Sequence, residues 1–79
     1  MNYRYEIVRT LAKKEKENTL SFGIKIIGED GDTVCMATDI SDDNKKMEEL
    51  VGLCNKLELS PVHFYDVISD FIISENAFI

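Results

Sequence analysis

The chain has 79 residues, 44% of them hydrophobic and 30% charged; it is too short for two domains and too apolar for disorder. Nine Lys and Arg stand against fifteen Asp and Glu, a net charge of −6, which opposes nonspecific nucleic-acid binding and adsorption to anionic membranes. The longest apolar run, Val34-Cys35-Met36-Ala37, falls far short of the ~18 residues of a membrane span.

From Tyr3 the chain alternates Tyr3, Tyr5, Ile7 against Arg4, Glu6, Val8 and Thr10, the pattern of a half-buried strand. Lys13-Lys14-Glu15-Lys16-Glu17-Asn18 has no apolar residue and reads as a solvated loop at a hairpin end. Its three lysines are interrupted by two glutamates, which argues against a nucleic-acid contact. Leu20, Phe22, Ile24 and Ile26 then occupy successive even positions, the clearest strand in the chain. Gly28-Glu29-Asp30-Gly31-Asp32 follows, with the Asp-Gly pair that favours a tight hairpin because glycine takes positive φ without steric cost. A third strand is predicted over about 33–38, with Val34 and Met36 on one face and Cys35 and Ala37 on the other.

The period changes after Ile40. Ser41 or Asp42 is the expected cap of a first helix over about 42–57, since a short side-chain oxygen accepts from the orphan amides of the first turn. Met47, Leu50, Val51, Cys54 and Leu57 recur at steps of three and four and form its apolar stripe, with Leu53 at the edge. Ser60-Pro61 starts a second helix, because proline's missing N–H has no partner to lose at the first position. Phe64, Tyr65, Val67, Ile68, Phe71 and Ile72 span a wide apolar arc there, and His63, Asp66, Asp70 and Ser74 line the opposite side. The predicted fold class is α+β: a three-stranded antiparallel β-meander packed against two C-terminal α-helices, β-β-β-α-α, in two layers and one domain over residues 1–79.

The second helix carries a resemblance. Ser60-Pro61-Val62-His63-Phe64-Tyr65-Asp66-Val67-Ile68-Ser69-Asp70-Phe71-Ile72 resembles the C-terminal pattern of a family of short proteins from low-GC Gram-positive bacteria catalogued only as a domain of unknown function. Tyr3-Arg4-Tyr5 with Val8, Phe22-Gly23-Ile24 and Asp39-Ile40-Ser41 are similar as well. The resemblance implies a bacterial or mobile-element protein and brings no activity with it.

Among candidate sites, His63, Asp66 and Asp70 stand at i, i+3 and i+7, on one helix face. A histidine beside a carboxylate is raw material for acid–base chemistry or metal ligation. The simpler reading is a histidine serving the helix start beside solvated aspartates, or a protein contact. Catalysis also needs a pocket of roughly 300 Å³ or more, which a small two-layer domain rarely forms. No enzyme activity, metal or other cofactor is expected: one histidine and two cysteines without a Cys-x-x-Cys pair do not make a zinc site, and phosphate-binding and nucleophile motifs are missing. Cys35 and Cys54 are expected as reduced thiols of a cytoplasmic protein, the N-terminus reading as strand rather than leader, with a single Cys35–Cys54 bridge as the alternative. Cys54 reads as a small buried hydrophobe, and Cys35 as turned away from the helices if Val34 and Met36 face them.

Three surfaces are candidates for a protein partner. Val62 and Ile73 sit apart from the second helix's apolar arc, flanking Ser69, and join His63, Asp66 and Asp70 as possible contact residues. Phe78 and Ile79 give the C-terminus an apolar end. The sheet's outer face, expected to carry Arg4, Glu6, Val8, Thr10, Ser21, Gly23, Lys25, Ile27, Cys35 and Ala37, is suited to homodimerisation through face or edge. The expected function is a non-catalytic protein-interaction or regulatory module, with no direct nucleic-acid or membrane partner. The alternative is an acidic inhibitor that blocks a nucleic-acid-binding or defence enzyme. Charge segregates accordingly: residues 1–38 hold six acids and six bases, whereas residues 39–79 hold nine acids and three bases. The strand half is neutral and the helical half carries the whole net charge.

Overall fold

The computed structural model describes residues 3–75, apart from the side chains of residues 12 and 14. Three strands, β1 (Arg4–Lys14), β2 (Glu17–Ile27) and β3 (Thr33–Ser41), precede α1 (Asn44–Lys56), a short 3₁₀ turn (Pro61–His63) and α2 (Phe64–Glu75). The sheet is antiparallel in the order β1-β2-β3, so the expected meander and the α+β class are observed. The helices cover one face, α1 over β1 and β2 and α2 against β3.

The first hairpin is longer than its sequence suggests. Lys13 pairs with Asn18 and Lys14 with Glu17, so the charged run is strand almost to its tip rather than a solvated loop. Only Glu15 and Lys16 turn, with Glu15 at φ 60°, because a two-residue connection needs positive φ to match the strand twist. Mixed charge says that this segment is wet; it does not say that it is unpaired. With arms of eleven residues, the hairpin projects past the helices and stretches the molecule to 41 × 27 × 19 Å. Leu11 and Leu20, direct partners across it, are exposed at 72% and 47%; Leu20 is therefore outside the core that its alternation predicts.

Facing pairs in an antiparallel ladder share a face. Tyr5 with Ile26, Ile7 with Ile24 and Arg9 with Phe22 therefore point to the helices. Cys35 faces Ile26 and Ala37 faces Ile24, and both pack against the core. The expected orientation of β3 is thus reversed: Cys35 and Ala37 lie inward, and Val34 and Met36 are exposed on the outer face. The alternation itself is regular here, and register irregularities between Ile26 and Ile27 and between Phe22 and Ile24 bracket it on either side. β3 also runs beyond residue 38, to Ser41.

The outer face differs from expectation too, since Ser21, Gly23 and Ile27 are buried. A Cβ on Gly23 would lie 2.1 Å from the Ala37 carbonyl oxygen and 2.8 Å from the Thr38 Cα, so β3 backbone passes directly over it. Ser21 Oγ donates to the Asp39 carboxylate, and Asp39 itself holds a left-handed φ of 55°.

Helix α1 starts two residues later than expected. Asp43 is its cap, accepting from Lys46 N at 3.1 Å, while Ser41 Oγ accepts from Asp43 N at 3.0 Å. The helix ends in a Schellman motif: Leu59 N donates to Cys54 O and Glu58 N to Asn55 O, both at 3.1 Å, with Glu58 left-handed at φ 51°. Leu57 caps that end and is exposed rather than part of the stripe. At the other helix, Ser60 Oγ accepts from Val62 N with Pro61 at the first position, as predicted; the first turn is 3₁₀ before α2 proper.

The core joins Tyr5, Phe22, Ile24 and Ile26 to Met47, Val51 and Cys54 of α1 and Phe64 and Ile68 of α2. Full burial of each large side chain contributes about 1.5–3 kcal/mol. Cys54 and Cys35 are both free thiols. Burial pushes the Cys54 thiol above its ordinary value of 9.0. Burial, then Cys54, then Cys35, raises the Tyr5 hydroxyl above 10.0; that hydroxyl donates to Leu59 O at 3.1 Å. In each case the folded state keeps a proton that the unfolded chain gives up. Their contribution to stability is therefore full well below the ordinary thiol value and falls as pH rises through the thiol and then the phenol range. Urea midpoints should be flat up to about pH 8.5 and then decline, and Cys54→Ala should remove the first part of the decline. An unchanged slope in that variant would exclude the thiol as its source.

Candidate functional site: the outer face of the second helix

Phe64 and Ile68 anchor α2; both are buried, Phe64 at 1% exposure. Val67 and Phe71 are half-buried beside them. With 100° per residue, fixing this side inward turns Val62, Tyr65, Asp66, Ser69, Asp70 and Ile73 outward. Tyr65 and Ile72, assigned by periodicity to the buried arc, are exposed at 69% and 42%. The cause is the narrow layer beneath: α2 rests on β3, an edge strand, which cannot cover an arc of about 160°.

Val62 and Ile73 are exposed at 77% and 65%. With Tyr65 they make an apolar stripe along the outward face, flanked by His63, Asp66 and Asp70, which are exposed as well. The Tyr65 ring stands edge-on to Phe64, centroids 5.2 Å apart at 78°, so the buried phenylalanine props it at the surface. Asp66 lies in the first turn of α2, where a carboxylate suits the helix dipole.

His63, Asp66 and Asp70 share this face but do not form a constellation. His63 sits in the 3₁₀ turn, its N–H donating to Ser60 O at 3.0 Å. Among the described residues no hydrogen bond or ion pair links its ring to either aspartate, and no group of three His, Cys, Asp or Glu is placed to hold a metal ion. Phe78 and Ile79, with the rest of the C-terminal tail, lie outside the described residues.

Two open depressions flank the domain. One, about 310 Å³, runs between the helices and is lined by Leu50, Leu53 and Phe71, with Lys46, Glu49, Ser74 and Glu75 at its rim. Lys46 in the first turn of α1 pairs with Glu75 in the last turn of α2, which makes the helices antiparallel; the Glu75 carboxylate raises the Lys46 pKa through a direct hydrogen bond. The other depression, about 420 Å³, is lined by Tyr3, Gly28, Glu29, Asp30 and Val34 at the β2–β3 turn. The first joins side chains of both helices and the second sets Tyr3 beside the β2–β3 turn, so neither is written in one local stretch of sequence.

These features define a small two-layer α+β domain whose last helix presents an apolar stripe with an acidic border. A model for a family of unknown function, DUF6514, matches residues 1–74, and the chain belongs to that family. No curated protein and no solved structure matches it. Among the described residues no helix is long and apolar enough to cross a membrane.

Proposed function

We propose that this chain is a non-catalytic protein-interaction or regulatory module of bacterial or mobile-element origin, acting in the cytoplasm, and that it docks a protein partner through the outer face of α2. The supporting observation is the exposure of Tyr65 and Ile73 on α2, and of Val62 on the 3₁₀ turn that leads into it, opposite the anchored side of the helix. Isolated exposed hydrophobes need no explanation, but three large ones on a single helical face with a charged border have the layout of an interface, apolar centre and polar rim.

The test is affinity capture from a bacterial lysate with wild type and with Val62→Ser, Tyr65→Ser and Ile73→Ser combined. These side chains are exposed, so the triple variant should keep its fold by circular dichroism and lose the captured protein by about tenfold or more, as expected when apolar anchors of an interface are truncated. Equal capture by both proteins would refute the assignment of this face. The second reading, an acidic inhibitor imitating nucleic acid, rests on exposed Glu48, Asp66 and Asp70 in the acidic half of the chain. It is favoured only if the captured protein is a nucleic-acid-binding enzyme and Glu48→Gln, Asp66→Asn and Asp70→Asn together release its inhibition. A net −6 is sparse beside the charge per ~1.7 Å of duplex DNA, so the first reading leads.

A further inference from the structure

Strand β1 is an outer strand of the sheet, and its open edge has defined limits. Tyr5 N donates to Asn55 Oδ1 at 2.8 Å, and Asn55 Nδ2 donates to Tyr5 O at 2.9 Å. The Asn55 amide thus occupies the outward groups of Tyr5 as another strand would. This fixes the parity of the edge: outward N–H and C=O groups belong to the odd residues. The β1–β2 register runs without a shift from Arg4–Ile27 to Lys14–Glu17, so the same parity holds to the turn. Beyond Tyr5, the outward groups of Ile7, Arg9, Leu11 and Lys13 have no partner among the described residues.

The side chains of those four residues share the helix-side face of the sheet and alternate apolar, cationic, apolar, cationic. Residues 7–13 contain no acid. Arg9, Leu11 and Lys13 are exposed, because the helices stop short of this end of the hairpin. We propose that β1 from Ile7 to Lys13 binds an extended acidic segment of a partner protein as a fourth strand. Main-chain bonds to the odd residues hold it, with acids facing Arg9 and Lys13 and apolar side chains facing Ile7 and Leu11. A second copy of this chain is the poorer occupant. It would bring Arg9 and Lys13 against the same two cations, and residues 7–13 supply no acid to offset them. Cationic side chains guard an edge against self-pairing; the same charges select an acidic strand. This rests on the interaction reading above but on a separate surface.

The probe is a fluorescent peptide Glu-Thr-Val-Thr-Glu-Thr-Val, which sets its acids opposite Lys13 and Arg9 in antiparallel pairing, with a lysine-for-glutamate peptide as control. The acidic peptide should bind the full chain, more weakly as salt rises. It should slow hydrogen exchange at the amides of Arg9, Leu11 and Lys13, leaving the already paired even-numbered amides unchanged. Leu11→Pro removes an outward N–H without costing a β1–β2 bond and should weaken binding about tenfold or more. Arg9→Glu with Lys13→Glu, which leaves the backbone intact, should do the same and favour the lysine peptide. Failure of the acidic peptide to protect these amides overturns the proposal. So does a wild-type dimer by light scattering that Leu11→Pro converts to monomer, since a second copy then holds the edge. Peptide binding that survives both variants also overturns it. Because the α2 triple variant leaves β1 untouched, it should bind the peptide normally. Loss of lysate capture in that variant alone bears on the α2 interface and not on this edge.

Discussion

Gly23→Ala is expected to lower stability by about 3 kcal/mol or more, which for a domain this size is a fall in Tm of roughly 12 °C or more. The added methyl would meet the Ala37 carbonyl oxygen at 2.1 Å and the Thr38 Cα at 2.8 Å. Both are backbone atoms, so no side-chain rotation relieves the clash. The strand must move, and with it the inward placement of Ala37 and Cys35. Gly52→Ala makes the same chemical change in the opposite setting. Gly52 is exposed within α1 and has open space where its Cβ would go. There alanine should stabilise by about 0.5–1 kcal/mol, through helix propensity. Thermal melts of the two variants should therefore move in opposite directions. A Gly23→Ala melt within a degree of wild type would contradict the passage of β3 over this glycine.

Phe64→Ala is expected to cost about 3–5 kcal/mol. A domain of 79 residues has a total stability of roughly 4–12 kcal/mol, so this one truncation removes a large share of it. Phe64 is the larger and more deeply buried of the two side chains that α2 buries, Ile68 being the other. Without it the helix rests on Ile68 and the half-buried Val67 and Phe71. Amide exchange should accelerate across α2 before it does in the β1–β2 hairpin, whose ladder is independent of Phe64. Tyr65→Ala, one residue away and mostly exposed, should cost less than about 1 kcal/mol. Similar losses from the two variants would mean that the inward and outward faces of α2 are assigned wrongly.

Much of this fold was legible because its signals are local. Alternation in β2, the Asp-Gly turn and the Ser-Pro helix start each reside within a few residues and survive into the structure. The errors arose where a neighbour decides. Val34 and Met36 are more hydrophobic than Ala37, so hydropathy favours them inside; the pairing of Cys35 with Ile26 and of Ala37 with Ile24 puts them outside. Leu20 continues the apolar face of β2, yet α1 lies elsewhere and leaves it bare. Tyr65 and Ile72 fall within an apolar arc wider than the sheet can cover. The outward positions of Val62, Asp66, Asp70 and Ile73 were readable from helical period alone. The open edge at Ile7–Lys13 was not, because its limit is set by Asn55, fifty residues from Tyr5 along the chain.

The β1-β2-β3 order also has a consequence in time. Each strand pairs with its neighbour in sequence, so the sheet closes only short loops and a hairpin forms in about 1–10 μs. The helices come later: 27 residues separate Ile27, the end of β2, from Cys54 in α1, about 1–5 s of synthesis at roughly 5–20 residues per second. During that interval Ile24 and Ile26 stand on a sheet with no second layer. Arg9 and Lys13 are then the main charges along residues 7–13 of the outer strand that keep one nascent chain from pairing with the next.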